Sequence, residues 1–327
     1  MPANLPPDYY AAESAFRTAT SSQAKLEALE RMLAVMPHHK GTDHLRAELR
    51  SRQAKLSHEV GRQRAHGHTD PYAVRCEGAG QAVLLGGPNA GKSSLLHALT
   101  GAPARLADYP FTTQLPQPAM MSFEDIQVQL VDLPAVAPGA TPPWLRGLVP
   151  HADLLLLVVD LDTDPTVDLG RIEQELTNMQ VSPRLPPAAA GTDDEPLQGQ
   201  PALVVGTKLD LTAAADGAQL LRLELADRLP LLATSAVSGA GLDDVRQSIV
   251  QALNVVRVYA KPPGRPPDLS RPFVLRRGAT VEDLADVVHH ELRQRLHYAV
   301  KWPPGAAPRR VGHQYELADR DVIELHA

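Results

Sequence analysis

The chain has 327 residues, 43 % hydrophobic and 21 % charged, with a formal net charge of −6; this is a globular composition with room for two or more domains, and it argues against whole-molecule attraction to nucleic acid. No run approaches the roughly 20 apolar residues of a membrane helix, and the N-terminal residues show no basic patch followed by an apolar stretch, so neither a membrane span nor a signal peptide is expected. Cys76 is the single cysteine, which excludes an internal disulfide and points to a reducing, cytoplasmic setting.

Residues 1–70 read as a helical hairpin region. Leu26, Leu29, Leu33 and Met36 recur at helical spacing until Pro37 stops them. Thr42 or Asp43 can cap a second helix carrying Leu45, Leu49, Leu56 and Val60. Such a pair suits packing on a neighbouring domain or on a partner helix. His38, His39, His44, His58, His66 and His68 crowd this region, but their spacing commits to no metal site and solvated side chains are expected.

Residues 71–257 alternate strand and helix. Residues 83–85 read as a short buried strand, and Leu95, Leu96 and Leu99 share one face of a following helix. Further strands are expected over 126–132, 154–159, 203–205 and 231–234. Between them Leu169, Ile172, Leu176 and Met179, then Leu220, Leu221 and Leu225, then Val245, Ile249 and Leu253 recur at helical spacing. The alternation predicts an α/β domain, a mostly parallel sheet with helices on both faces. Ligands of such sheets bind in the loops after the carboxyl ends of the strands. Residues 181–200, rich in Pro, Ala and Gly, read as a loop without periodic structure.

Residues 258–270 read as a stiff Pro-rich linker. Beyond it, 271–327 predict a small α+β domain, most simply a ubiquitin-like β-grasp. A strand is expected over 273–275, and Thr280-Val-Glu-Asp283 has the form of a capping box. The helix it opens places Leu284, Val287, Val288, Leu292 and Leu296 inward. Short strands follow over 298–302, 315–317 and 321–325.

Five loops at strand ends carry the chemistry. Gly86, Gly87, Pro88, Asn89, Ala90, Gly91, Lys92 and Ser93 fit the phosphate-loop pattern of Gly, four residues, Gly, Lys, Ser, set between strand and helix. Glycines there let backbone amides converge on phosphate oxygens, and the helix N-terminus, with Ser94, adds partial positive charge. Lys92 should reach the outer phosphates and the Ser93 hydroxyl should hold Mg2+. Tyr109-Pro-Phe-Thr-Thr113 comes second; Thr112 or Thr113, with Thr113 favoured, offers a hydroxyl to the metal and an amide to the γ-phosphate. Third, Asp132 can hold Mg2+ through water, and Ala135 can give its N–H to the γ-phosphate. Fourth, Thr207-Lys208-Leu209-Asp210 places a carboxylate that can accept two hydrogen bonds from guanine N1 and N2, a donor pair adenine lacks, while the Lys208 stem covers the base. Fifth, the backbone around Ser235 and Ala236 can donate to guanine O6. Five such loops in this order are the order of a GTPase.

These residues resemble the Obg-type GTPases, and within them the developmentally regulated GTP-binding proteins of eukaryotes and archaea with their bacterial relatives. The likeness covers nearly the whole chain. It rests on Pro37-His-His-Lys-Gly-Thr-Asp-His-Leu45 in the helical segment, on Tyr109-Pro-Phe-Thr-Thr113, on Val258-Tyr-Ala-Lys-Pro-Pro-Gly-Arg-Pro-Pro-Asp268, and on Arg277-Gly-Ala-Thr-Val-Glu-Asp-Leu284, Arg310-Val-Gly312 and Asp319-Arg-Asp-Val-Ile-Glu324 in a C-terminal TGS domain. The resemblance implies a GTP-dependent switch, with ribosome or RNA association as the family theme. Arg276, Arg277, Lys301, Arg309 and Arg310 are the candidates for a basic face serving it, although acidic residues interleave with them.

Four departures stand out. Ala135 replaces the family's glycine, where a Cβ restricts the backbone change that senses the γ-phosphate. Thr207 replaces the usual Asn and has a shorter side chain to brace the phosphate loop. Val136 sits where Ras-like enzymes place the water-orienting Gln, which Obg-type enzymes also lack. The domain that eukaryotic members insert before the fourth motif is absent or reduced to the 181–200 loop. Asn89 occupies the place where potassium-activated GTPases carry their K+ ligand; the other reading is that it only braces the loop. Slow GTP hydrolysis with Mg2+, stimulated by K+, is the leading expectation. A non-hydrolysing GTP-binding adaptor, or an ATPase of the Obg group, are the alternatives.

Overall fold

The computed structural model describes residues 6–18, 22–36, 49, 50, 52, 53, 72–101, 115–187 and 199–327. The histidine-rich stretch, most of the expected second helix of the hairpin, and Tyr109–Thr113 lie outside the described residues. The contacts divide the chain into one unit over 1–73 and another over 74–327.

In the first unit, α1 (Pro7–Thr18) packs on α2 (Ser22–Val35). Tyr9, Leu29, Met32, Met36 and Leu49 form its core. The helix α1 falls in the region read as helical but is not delimited by the sequence; its apolar face rests mainly on Tyr9 and Phe16, too few for a periodic signal.

The second unit contains two sheets. The larger is built from β1 (Gln81–Gly86), β2 (Gln117–Phe123), β3 (Ile126–Asp132), β4 (Leu154–Asp160), β5 (Pro183–Arg184), β6 (Gln200–Thr207) and β7 (Leu231–Ala233). Its order is β2-β3-β1-β4-β6, with β5 and β7 both pairing with β6. Only the β2–β3 hairpin is antiparallel. Among the helices are α3 (Lys92–Thr100), α4 (Leu145–Leu148), α5 (Pro165–Asn178), α6 (Ala214–Leu225) and α7 (Leu242–Leu253). Strands β1 and β4 are buried along their whole length, as expected of central parallel strands covered on both faces. One face carries α4, α5 and α6 over Val83, Leu85, Leu155, Leu157 and Val204; the other carries α3 and α7 over Leu84, Leu130, Leu156 and Val205. Parallel register brings Gly86 beside Val158, Leu84 beside Asp132, Asp160 beside Thr207 and Gly206 beside Ala233, so the four expected motif loops that follow β1, β3, β6 and β7 leave one common edge.

The smaller sheet has the order β11-β10-β12-β8-β9, from β8 (Val255–Ala260), β9 (Phe273–Arg276), β10 (Tyr298–Lys301), β11 (Arg309–Val311) and β12 (Asp321–His326). Helices α8 (Val281–Val288) and α9 (His290–Arg295) complete a β-grasp. The expected linker over 258–270 begins too early. Val258, Tyr259 and Ala260 are registered on both sides of β8, so the domain opens at Val255 and residues 261–272 are the β8–β9 connection. Its alternation, with Val256 and Val258 in the β-grasp core and Arg257 and Tyr259 on the face that meets Asp125, is a strand signal that the prolines after it obscure. The capping box forms, with the Asp283 carboxylate accepting from both Thr280 N–H and Oγ1. The single expected helix is two, because His289 is extended at φ −167, and Val287 is 55 % exposed rather than inward. Residues 315–317 contribute only an isolated bridge between Thr280 and Glu316. Within the 181–200 stretch, Pro183–Arg184 is a short strand on β6.

The β-grasp docks on the amino edge of the larger sheet. The Arg257 guanidinium donates to Asp125 Oδ1 at 2.9 Å, Asp319 Oδ2 at 2.7 Å and Glu124. Tyr259 OH donates to Asp125 Oδ2, Arg320 to Glu124 at 2.8 Å, and Arg276 to Asp153 at 2.9 Å. Three carboxylates around it hold the Arg257 guanidinium far above its ordinary proton affinity. The residues expected to form one basic face are therefore divided. Arg276 and Arg277 bond to Asp153 and Asn254 at the docking edge, Lys301 pairs with Asp321 at 2.6 Å, and Arg310 lies 3.9 Å over the Tyr298 ring.

Candidate functional site

At the carboxyl edge, the loop from β1 to α3 starts where the chain has no room. A Cβ built on Gly86 would sit 2.4 Å from Val158 O, so only glycine fits. Asn89 at φ +61 and Gly91 at φ +82 then turn the chain left-handed into the helix start. No side chain caps α3, which leaves its first-turn amides and the positive end of its dipole facing the loop. Pro88 and Asn89 form an exposed tip, while Gly87 and Ala90 are buried beneath it and Ser94 is exposed on the first turn. Lys92 folds back along this loop, its Nζ donating to Gly86 O at 3.1 Å and Gly87 O at 3.0 Å. Burial pulls the ammonium below its ordinary proton affinity, and the nearby Asp132 acts in the opposite sense. Among the described residues it makes no direct ion pair, so the cation is held in the loop by carbonyls, with Asp132 as a counter-charge at longer range.

Asp132 ends β3 and is 1 % exposed. Ser93 Oγ donates to its Oδ2 at 2.5 Å, and its Oδ1 is buried with no partner. Burial pushes the carboxyl above the ordinary carboxylate range, against the Ser93 hydrogen bond and the Lys92 charge. A buried carboxylate with an idle oxygen, beside a hydroxyl, is a donor set suited to a hard divalent cation. Thr113, the third expected ligand, lies outside the described residues. Ala135 is half-buried in the loop after β3. Val136 is 2 % exposed, its side chain in the core under α4 and its N–H donating to Gly86 O at 3.1 Å. Packed there, it is unable to orient a water, as expected. Gly86 O thus joins the phosphate loop, Lys92 and the loop after β3 at one atom.

The loops after β6 and β7 meet beside the phosphate loop. The Thr207 hydroxyl lies 2.8 Å from Ala90 O and 3.1 Å from Val159 O, and its single proton serves one of them at a time. One short hydroxyl therefore does brace the phosphate loop; the register of β4 and β6 brings the backbones close enough that the longer Asn is not required. Asp210 is exposed, and its Oδ1 accepts from Ser235 Oγ at 2.5 Å, which leaves Oδ2 without a partner among the described residues. Ser235 Oγ accepts in turn from the amides of Val237 at 3.2 Å and Ser238 at 3.1 Å. The Ser235 N–H donates to Ala240 O at 2.9 Å, so of the two expected amides only that of Ala236 remains for a ligand. Lys208 takes φ +61, and its Nζ pairs with Asp160 Oδ2 at 2.5 Å. Asp160 was missed in the sequence. Its signal was there: like Asp132, it is a carboxylate ending an otherwise apolar strand.

Fold and site together define a P-loop GTPase domain joined to a β-grasp of the TGS kind. Residues 81–188 match the family described as 50S ribosome-binding GTPase, and residues 256–327 match the TGS domain. An uncharacterized GTP-binding protein of Methanocaldococcus jannaschii is 26 % identical over 363 aligned positions, covering 93 % of this chain and 92 % of that protein. Developmentally-regulated G-protein 2 of Arabidopsis thaliana is 27 % identical over 371 positions, covering 92 % and 90 %. These alignments are longer than the 327 residues of this chain, so the relatives carry internal residues that it lacks. Among solved structures, the FeoB G-domain from Methanococcus jannaschii superposes on 53 % of this chain and 97 % of that one, with 20 % identity and a TM-score of 0.38. Its relatives include developmentally regulated GTP-binding proteins, and the chain, with a GTPase domain followed by a TGS domain, is a GTP-binding protein of the GTPase family. No helix among the described residues is long and apolar enough to cross a membrane.

Proposed function

We propose that the chain is a guanine-nucleotide switch that hydrolyses GTP slowly. The observation that carries the reading is the pairing of two half-satisfied carboxylates on one sheet edge, Asp132 with an idle buried oxygen and Asp210 held by Ser235 with its other oxygen without a partner among the described residues. GTP or GDP would lie with its phosphates on the amides of residues 87–94 and on Lys92, and with guanine between Asp210, Ala236 and the Lys208 stem. Mg2+ would be held by Ser93 and Thr113, with Asp132 acting through water, and would supply neutralisation of the phosphate charge. Ala135 presents its N–H to the γ-phosphate. With Val136 buried, this chain has no side chain at that position to place the attacking water, which supports a low intrinsic rate. Asn89, exposed and left-handed at the tip of the loop, would be the K+ ligand. Ribosome or RNA association is supported by the family description of the GTPase domain, and the terminal domains would be the parts that make the contact.

The test is nucleotide binding followed by turnover with and without ribosomes. GTP and GDP should bind at least a hundredfold more tightly than ATP, on the order expected when a site hydrogen-bonds a donor pair that its competitor lacks. Multiple turnover in K+ should exceed that in Na+, and equal rates would remove K+ from the scheme. Tight binding with no turnover in any condition would convert the switch into a GTP-binding adaptor, with Ala135 as the reason.

A further inference from the structure

We infer that Asp160 is a positioning residue for the guanine base, acting through Lys208; this rests on the guanine site proposed above. Asp160 ends β4 and is 6 % exposed, on the strand next to the base-side motif. The β4–β6 ladder sets it directly opposite Thr207, and Leu161 N–H donates to Thr207 O at 3.2 Å, so its place relative to Lys208 is fixed by backbone. Its two oxygens divide their work. Oδ1 accepts from Asp162 N–H at 3.0 Å and shapes the turn into α5. Oδ2 takes the Lys208 ammonium at 2.5 Å, which anchors a side chain that is 36 % exposed.

Lys208 needs such an anchor for two reasons. Its backbone is left-handed at φ +61, an uncommon conformation for a residue with a Cβ. Its four-carbon stem is long and, if free, loses rotamer freedom when it closes over a ligand. The ion pair holds the far end of that stem before any ligand arrives, so the apolar methylenes stand ready as one wall of the base site. A buried carboxylate requires a partner, and this partner is shared with the nucleotide rather than with the core. The apolar β4 strand therefore ends in a specificity element.

The experiment is a double-mutant cycle on the full-length protein with Asp160→Asn and Lys208→Met, reading GDP affinity by fluorescence and, in parallel, binding of inorganic triphosphate, which has no base. Asn keeps an oxygen for the Asp162 amide, and Asp160→Glu serves as a rescue variant that retains the charge. Asp160→Asn should weaken GDP about three- to tenfold, the cost of ordering one long side chain at binding. It should leave triphosphate affinity unchanged, and it should have no further effect in the Lys208→Met background, while Asp160→Glu recovers part of the loss. Equal losses for GDP and triphosphate, a loss that persists without Lys208, or GDP affinity within twofold of wild type would each overturn the inference. The underlying reading is checked separately with Asp210→Asn. If that variant keeps full GDP preference, the base site is wrong and this inference falls with it; if it loses GDP while Asp160→Asn does not, only the positioning role is lost.

Discussion

At the carboxyl edge of the larger sheet, the charges around the phosphate loop are buried and short of partners; at its amino edge, charges are paired several deep. Lys92 is held by two carbonyls and Asp132 keeps an idle oxygen, whereas Arg257 is ringed by Glu124, Asp125 and Asp319. Both edges belong to the same strands, since the β2–β3 hairpin ends near Asp132 at one side and turns at Glu124 on the other. A docking contact is at its best when satisfied from within the chain. A site for an anion and a cation must instead leave its groups incomplete until the ligands come, and it accepts the desolvation cost in the empty state.

Substitutions at the two edges should therefore separate binding from stability. The largest expected effect is Asp210→Asn, which should cost on the order of a hundredfold or more in GTP affinity and raise xanthine-nucleotide affinity, with little change in thermal midpoint. Nucleotide titration checks it, and retained GTP preference would break the assignment of the base side. Arg257→Ala should do the reverse. It leaves three carboxylates facing one another, and because they are partly solvated a loss of about 2 kcal/mol is expected rather than the full buried-pair cost. Denaturant unfolding should show that loss while GDP affinity stays within about twofold, and a variant as stable as wild type would end the contrast.

Thr207→Val lies between the two. It removes the hydroxyl shared by Ala90 O and Val159 O, so about 1–2 kcal/mol of stability should go together with faster GDP release. Thr207→Ser should retain both properties, and stopped-flow release distinguishes the pair.

The smallest effect is a pH dependence. Asp132 is raised above the usual ~3.9 of an aspartate by burial. Its contribution to the stability of the empty protein is full at low pH, and it is lost as pH rises through the raised value. Metal binding requires the ionised form, so Mg2+-dependent GDP affinity should weaken on acidification sooner than an ordinary aspartate would allow. An affinity that weakens on acidification only where an ordinary aspartate protonates would contradict the idle-oxygen picture.

Much of this was legible in the chain itself. The phosphate loop announces itself because its constraints are local: Gly86 has no room for a Cβ, Gly91 must be left-handed, and Lys92 and Ser93 follow at fixed spacing. The apolar runs of β1 and β4 and the order of the motif loops implied a parallel sheet with one loop-bearing edge, as found. The Thr280–Asp283 box was equally readable, since its bonds close within four residues. What only the tertiary structure decided involves partners far apart in sequence. Whether Thr207 can replace Asn depends on Ala90, 117 residues away, and on how closely β4 and β6 approach. That the Ser235 amide is taken depends on the turn back to Ala240, and the role open to Asp160 depends on a lysine 48 residues on. The first three residues of the supposed linker, 258–260, belong to strand β8 because β9 and β12 flank it, a pairing that the prolines after them obscure. Residue type and short-range spacing determine which chemistry the chain can carry; strand register determines which groups are already satisfied and which are left for a ligand.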